Sequence, residues 1–347
     1  MKRASIAILA VIMLLAHAVG CASAQQAGDA PAQQVEAVAP QGDNGQQEGA
    51  GAATETDKEI VIGLSEPSSG WPYIYMYMVA FQKFVDETPG VRVIQLSADG
   101  DIQKQANDID DLIVQGVDII LVCSLDGTAI VPSLAKARAA NIPILAVSNE
   151  PDEEGQKLIE GYCGPDDKEQ GRIAARIMAE ALGGVGKVCI VEGKPGQSTT
   201  QLRSDGFKEV LAEIAPGIEI IAEQPCDWDP AKAKSVAQTF ITQFGDEIDG
   251  IFAQDDNIAS AVGEVVRDAN LGKEIIIVGT GGSQNGINAI REGLIYGTMM
   301  QSPTIDAENG LALALKIVNG EPLPEKRNII PMPIVTPDNA YEYDGEW

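Results

Sequence analysis

Ile119-Ile120-Leu121-Val122, then Val131 to Ala140, then Pro143-Ile144-Leu145-Ala146-Val147, carry the strongest structural signal in the chain. The outer two runs are short, continuous and aliphatic. That is how strands buried on both faces read. The segment between them has the length of one helix. Strand, helix and strand in this order make a parallel β-α-β unit.

The same unit repeats on both sides. Upstream, Ile60-Val61-Ile62-Gly63-Leu64 reads as a strand, Tyr73 to Thr88 as a helix ended by Pro89-Gly90, and Val91 to Leu96 as a strand. Ile102, Ala106, Ile109 and Ile113 fall on one helical face, stopped at Gly116. Downstream, strands are expected at Leu158 to Tyr162, Lys187 to Val191, Ile218 to Ala222, Ile251 to Ala253, Ile275 to Val278 and Thr298 to Met300, with a final one from Ile329. Helices are expected at Gln170 to Leu182, Thr199 to Ile214, Ala231 to Phe244, Asn257 to Ala269, Gln284 to Glu292 and Pro303 to Asn319. About ten strands are too many for one comfortable doubly wound sheet. The reading is an α/β fold with two parallel-sheet lobes of about 120–150 residues each.

Composition narrows the function. The chain has 347 residues, 45% of them hydrophobic, and a formal charge of −27 from 24 Lys+Arg against 51 Asp+Glu. So acidic a chain repels nucleic acid phosphates and anionic lipid heads. The single histidine is His17. It lies in a segment that reads as a signal peptide, residues 1–20. Lys2 and Arg3 are followed by the apolar run Ile6 to Ala16, too short to cross a bilayer. A mature chain without histidine has no Ser-His-Asp triad and no His-ligated zinc. Neither cofactor nor metal is expected.

Two cleavage signals follow. Ala18-Val19-Gly20-Cys21 resembles a lipobox, with Cys21 lipidated and the lipid anchor as the only membrane attachment. Ala22-Ser23-Ala24 is an alternative site, with cleavage before Gln25. Residues 21–58 are rich in Gln, Ala, Gly and Pro and lack apolar periodicity. They read as a disordered tether. Cys123, Cys163, Cys189 and Cys226 show no C-x-x-C spacing, and their pairing stays open.

In doubly wound sheets, ligands bind beyond the carboxyl ends of the strands. The residues there are Ser65 to Tyr73, Ser124 to Thr128, Ser148-Asn149-Glu150, Lys194 to Arg203, Cys226-Asp227-Trp228-Asp229, Gln254 to Asn257, Gly279 to Ser283 and Gln301. The set is polar, with interspersed aromatics and one arginine. Aromatic faces and forked hydrogen-bonding groups suit a polyhydroxylated ligand. Arg203 and Trp228 are the foremost candidates, and both are expected to be largely hydrated when the lobes are apart.

The succession Ile119 to Val122, Asn141-Ile142-Pro143-Ile144, Arg203-Ser204-Asp205-Gly206-Phe207, Phe252-Ala253-Gln254-Asp255-Asp256, Val278-Gly279 and Thr298-Met299-Met300-Gln301 resembles the ribose-binding-protein branch of the type I periplasmic binding proteins. These are solute receptors of sugar ABC importers. The resemblance covers about Ile60 to Pro333, and order and spacing together carry it. It implies two Rossmann-like lobes joined by three hinge crossings, here near Pro165, Ser302 and Asn328. One lobe would comprise residues 59–165 plus 302–328, the other 166–301 plus 329–347. It implies a monomer that delivers a sugar or polyol to an ABC transporter permease. Arg203 matches the sugar-clamping arginine, Trp228 a stacking aromatic, Asp255 a hydroxyl-binding residue and Gln301 a hinge-side ligand. Trp71 and Tyr73 occupy the aromatic segment after the first strand. Ser148-Asn149 stands where the family has an Asp-Arg pair, and Thr280-Gly281-Gly282-Ser283 lacks the family's carboxylate. Both departures point away from ribose, toward another monosaccharide or a polyol.

Rival readings have weaker support. Gly193-Lys194-Pro195-Gly196-Gln197-Ser198 lacks the order of a phosphate loop, and Pro195 removes an amide donor. Gly279-Thr280-Gly281-Gly282 lacks the third glycine of a dinucleotide fingerprint, although its amides suit an anion. Asp99-Gly100-Asp101 lacks the full calcium-loop pattern. The absence of histidine after the signal, and of a nucleophile elbow, weighs against an extracytoplasmic α/β enzyme. A receptor serving chemotaxis or a sensor kinase remains the alternative to transport.

Overall fold

The computed structural model describes residues 59–347. The signal peptide, lipobox and tether fall on residues 1–58, outside the described residues. In chain order the elements are β1 (Ile60–Glu66), α1 (Pro72–Asp86), β2 (Val91–Ser97), α2 (Ile102–Gln115), β3 (Ile119–Val122), α3 (Val131–Ala139), β4 (Ile144–Val147), α4 (Glu153–Gln156) and β5 (Gly161–Gly164). There follow α5 (Asp167–Leu182), β6 (Val185–Glu192), α6 (Ser198–Ile214), β7 (Gly217–Pro225), α7 (Pro230–Phe244), β8 (Gly250–Ala253), α8 (Asp256–Ala269), β9 (Ile276–Val278), α9 (Gln284–Arg291) and β10 (Thr298–Met299). The chain closes with α10 (Pro303–Val318), β11 (Arg327–Ile329) and β12 (Ile334–Val335).

The strands form two main sheets. The first has six parallel strands in the order β11-β5-β4-β3-β1-β2. The second has the parallel order β7-β6-β8-β9, extended by bridges from Val278 to Gly297 and from Gly281 to Met300. β10 pairs antiparallel with β12 beside it. The chain passes between the sheets three times: after β5, between β10 and α10, and between β11 and β12.

Strand β3 shows why the aliphatic runs were readable. Ile119 and Leu121 pack into the α1 and α10 side, Ile120 and Val122 into the α2 and α3 side, and none of the four is exposed. Each such side chain contributes roughly 1.5–3 kcal/mol by leaving water, so a polar residue on either face would be costly. Several helices start on side-chain caps, among them Asp101 on α2, Asp229 on α7, Asp255 on α8 and Ser302 on α10. Asp101 therefore caps a helix rather than serving a calcium loop.

Three expectations change. The strand placed at Leu158 to Tyr162 begins only at Gly161, where pairing with Leu145 starts. The turn of α4, capped by Asp152, precedes it. The single final strand from Ile329 is two strands in different sheets. Pro331 and Pro333 lie between them, and their missing amides favour a break in the ladder. The four cysteines are all free and buried. Burial pushes the Cys189 and Cys226 thiols up to about 12, so they behave as small hydrophobes.

Candidate functional site

The carboxyl ends of both sheets face a cavity of about 660 Å³. Trp71, Tyr73, Ser148 and Asn149 line it from the first sheet's loops. Arg203, Trp228 and Asp255 line it from the second, and Gln301 stands at a crossing between the sheets. The structure thus brings together all eight sequence-predicted residues.

Arg203 is held on every side. Its Nε donates to Gln170 Oε1 at 2.9 Å, its Nη1 to the Gln254 carbonyl at 2.6 Å and its Nη2 to Gln301 Oε1 at 3.2 Å. Nη2 also lies 3.2 Å from Asp167 Oδ1. Arg203 is only 4% exposed here, where loops of the two sheets meet. Its partners sit on α5, on the loop after β8 and at the β10–α10 crossing, so this network belongs to one sheet's side. Two glycines make it possible. A Cβ at Gly171 would lie 2.1 Å from the Arg203 carbonyl oxygen, and one at Gly206 would lie 2.0 Å from that of Lys168. Only glycine lets α5 and α6 approach this closely, and the approach brings Arg203 to Gln170 and Asp167. Burial raises the Asp167 carboxyl, and the Arg203 charge opposes that rise.

Trp228 is partly buried, its Nε1 donating to Gln197 Oε1 and its ring lying against Gly193. The Arg203 guanidinium sits 5.9 Å from the ring centroid. Asp227 and Trp228 hold consecutive left-handed backbones at φ 55° and 58°. Each such residue costs on the order of 1–3 kcal/mol, and strain of this kind gathers at binding sites. The flanking acids are structural: Asp227 pairs with Lys232 at 2.6 Å, and Asp229 caps α7.

Ser148 is also left-handed, at φ 56°, and the Asn149 amide donates across it to the Val147 carbonyl at 2.6 Å. This tight turn sends the Ser148 and Asn149 side chains to different partners. Ser148 Oγ donates to Asp306 Oδ2, while the Thr199 hydroxyl of α6 meets the Asn149 side-chain amide, a direct link between the two sheets' loops. Asp255 is half-buried, and its Oδ1 accepts the Asn257 and Ile258 amides at 2.8 and 3.2 Å. Burial holds its carboxyl up at about 6, against these bonds and Arg203.

Three amides of the Gly279 to Ser283 loop are already taken within the protein. The Gly279 and Gly281 amides donate to the Gly297 and Met299 carbonyls, and that of Ser283 to the buried Asp256 carboxylate at 3.0 Å.

The fold and this cleft have known counterparts. The family model for the periplasmic binding protein domain matches residues 62–322. The chain belongs to the periplasmic binding protein family. A xylitol-binding protein of Mycolicibacterium smegmatis is 33% identical over 253 residues, covering 72% of this chain and 70% of its own. The ribose import binding protein of Bacillus subtilis is 28% identical over 264 residues, covering 76% and 83%. Among solved structures, an ABC transporter solute binding protein of Mycobacterium smegmatis with bound glycerol superposes at TM-score 0.76 with 26% identity, covering 83% and 98%. One from Bacillus halodurans with bound myo-inositol has TM-score 0.78 at 23% identity, covering 84% and 99%, and speaks to the fold alone. The periplasmic binding proteins are solute receptors rather than enzymes, and they are exported.

This binding protein has a cleft residue that sequence reasoning missed. Trp347 lines the cavity and meets the Tyr73 ring edge-on, with centroids 5.7 Å apart at 87°. Its carbonyl accepts the Gln284 amide at 2.8 Å, its ring packs on Gly281, and its Nε1 is buried without a partner. Glu346 accepts the Ser302 hydroxyl at 2.7 Å, fixing the segment to the start of α10. No post-strand spacing marks this residue, because it returns to the cleft from the end of the sequence.

Proposed function

We propose that this chain is an extracytoplasmic receptor that captures one neutral monosaccharide or polyol between its two sheets and delivers it to an ABC transporter permease. The observation that carries the reading is Arg203. Its charge is already matched by Asp167 at 3.2 Å, so the cleft asks for no anionic ligand. The guanidinium and the faces of Trp71, Tyr73, Trp228 and Trp347 then serve hydroxyls and C–H surfaces. The names of the relatives, which bind xylitol and ribose, support the same class. Ser148-Asn149 in place of a charged pair favours a ligand other than ribose.

We further propose that the lobes are divided as residues 59–165 plus 302–328 and 166–301 plus 329–347. The protein acts as a monomer tethered through lipid on Cys21. Intact-mass measurement of membrane-extracted protein should show an acylated chain starting at Cys21. An unmodified chain starting at Gln25 would contradict the anchor.

A thermal-shift panel of pentoses, hexoses and polyols tests the receptor reading. A ligand at 100 times its dissociation constant adds about 2.7 kcal/mol, worth roughly 5–10 °C for a protein of this size. Shifts only with amino acids or phosphorylated sugars would contradict a neutral-ligand site.

A further inference from the structure

Asp306 of α10 has no exposed surface. The Tyr73 hydroxyl donates to its Oδ2 at 2.8 Å, and the Ser148 hydroxyl donates to the same oxygen at 2.7 Å. Both hydroxyls belong to residues that line the cavity, while Asp306 stands behind them. No ion pair reaches Asp306 among the described residues, and its Oδ1 has no partner. An uncompensated buried carboxylate is costly, so packing alone does not account for it.

A hydroxyl has one proton and two lone pairs. We propose that Asp306 sets the hydrogen-bonding polarity of the cleft wall: it takes both protons and leaves Tyr73 and Ser148 facing the ligand only as acceptors. This rests on reading the cleft as a sugar or polyol site, and it deepens that reading. The wall then selects ligand groups that donate. A hydroxyl fits there, and an ether oxygen or a fluorine does not. Asp306 is a positioning residue, because it acts through the two hydroxyls and touches no ligand itself.

The surroundings agree with this role. Burial holds the Asp306 carboxyl up at about 7, while the Ser148 and Tyr73 bonds favour its ionised form. Glu66 is fully buried, and neither of its carboxyl oxygens has a partner. Burial and the Asp306 charge push it well above the usual carboxylate range, which disfavours a second charge beside Asp306.

The test uses the best-binding neutral member of a panel containing D-ribose, xylitol, myo-inositol and D-allose, with its deoxy and deoxyfluoro derivatives at each hydroxyl. Fluorine replaces the hydroxyl's size and polarity but cannot donate. Titration calorimetry at pH 8 on wild type should find a position where the fluoro derivative binds as weakly as the deoxy one. Each should lose about 3- to 10-fold, the worth of one hydrogen bond. In Asp306→Ala no acceptor remains where Oδ2 held both hydroxyls, which frees their protons toward the cavity. The fluoro penalty at that position should then shrink at least 3-fold, while the penalties elsewhere persist. A uniform loss across the series in Asp306→Ala overturns the proposal, as does an unchanged pattern. If the variant does not fold, the wild-type series decides: fluoro derivatives that match the parent at every position overturn it. Failure of every panel member to bind wild type overturns the sugar reading itself, and this proposal with it.

Discussion

Replacing Arg203 by alanine should destabilise the protein even without ligand. The substitution removes three hydrogen bonds of 2.6–3.2 Å and the ion pair with Asp167. It strands a carboxylate that is only 2% exposed. Breaking a buried pair from one side costs about 3–5 kcal/mol. The lower end applies here, because Thr199 still donates to Asp167 Oδ2 at 2.9 Å. At about 2–4 °C per kcal/mol, the apo melting temperature should fall by roughly 6–12 °C. These partners lie on one sheet's side, so the loss does not depend on how far the cleft is open. Adding Asp167→Asn removes the stranded charge and should restore at least half of the lost stability. It should not restore ligand affinity, which a buried arginine anchor supports by about 2–4 kcal/mol. The stability loss should also be smaller at pH 5 than at pH 8. The Asp167 carboxyl is already raised, and without Arg203 it rises further, so lowering the pH favours its neutral form, which strands no charge. Circular-dichroism melts of wild type, Arg203→Ala and the double variant decide the matter. An Arg203→Ala melting point within about 1 °C of wild type would refute the reasoning, as would a double variant no better than the single.

Further outcomes follow from the same structure. Burial holds Glu150, Asp256 and Asp306 at about 7 and Asp255 at about 6. Between pH 4 and 7 the folded protein keeps protons that the unfolded chain releases, so stability should fall as pH rises through that window; an apo melting temperature higher at pH 8 than at pH 5 would contradict this. Gly206→Ala should cost about 1–3 kcal/mol by overpacking α5 against α6, read as a lower apo melting temperature. Trp347→Ala should weaken ligand binding about 3- to 10-fold in calorimetry, because it removes an aromatic pair worth about 0.5–1.5 kcal/mol, and Trp347→Phe should keep most of it.

The parallel-sheet architecture was legible because its strands are buried on both faces. Ile119 to Val122 admit no other residue class, and glycines such as Gly116 mark the helix ends. The eight cleft residues were legible because the sheet topology fixes where post-strand residues go. What escaped was contributed from elsewhere. Asp306 reads as an ordinary acid in the first turn of a helix, where the helix dipole favours one. Trp347 has no neighbouring strand to place it. The polar network of Arg203 was not legible because α5, the Gln254 loop and Gln301 supply its partners from three other segments, and sequence spacing does not show that they meet. The split of the last strand follows from a sheet change that Pro331 and Pro333 permit but do not by themselves reveal.

The central claim is that one neutral polyhydroxylated molecule binds between the two sheets, against Trp228. Isothermal titration of the strongest thermal-shift hit into wild type and Trp228→Ala tests it most directly. One site per chain is predicted, with affinity falling by about 2–4 kcal/mol in the variant, roughly 30- to 1000-fold. Binding of equal strength to both proteins would contradict the cleft as the site.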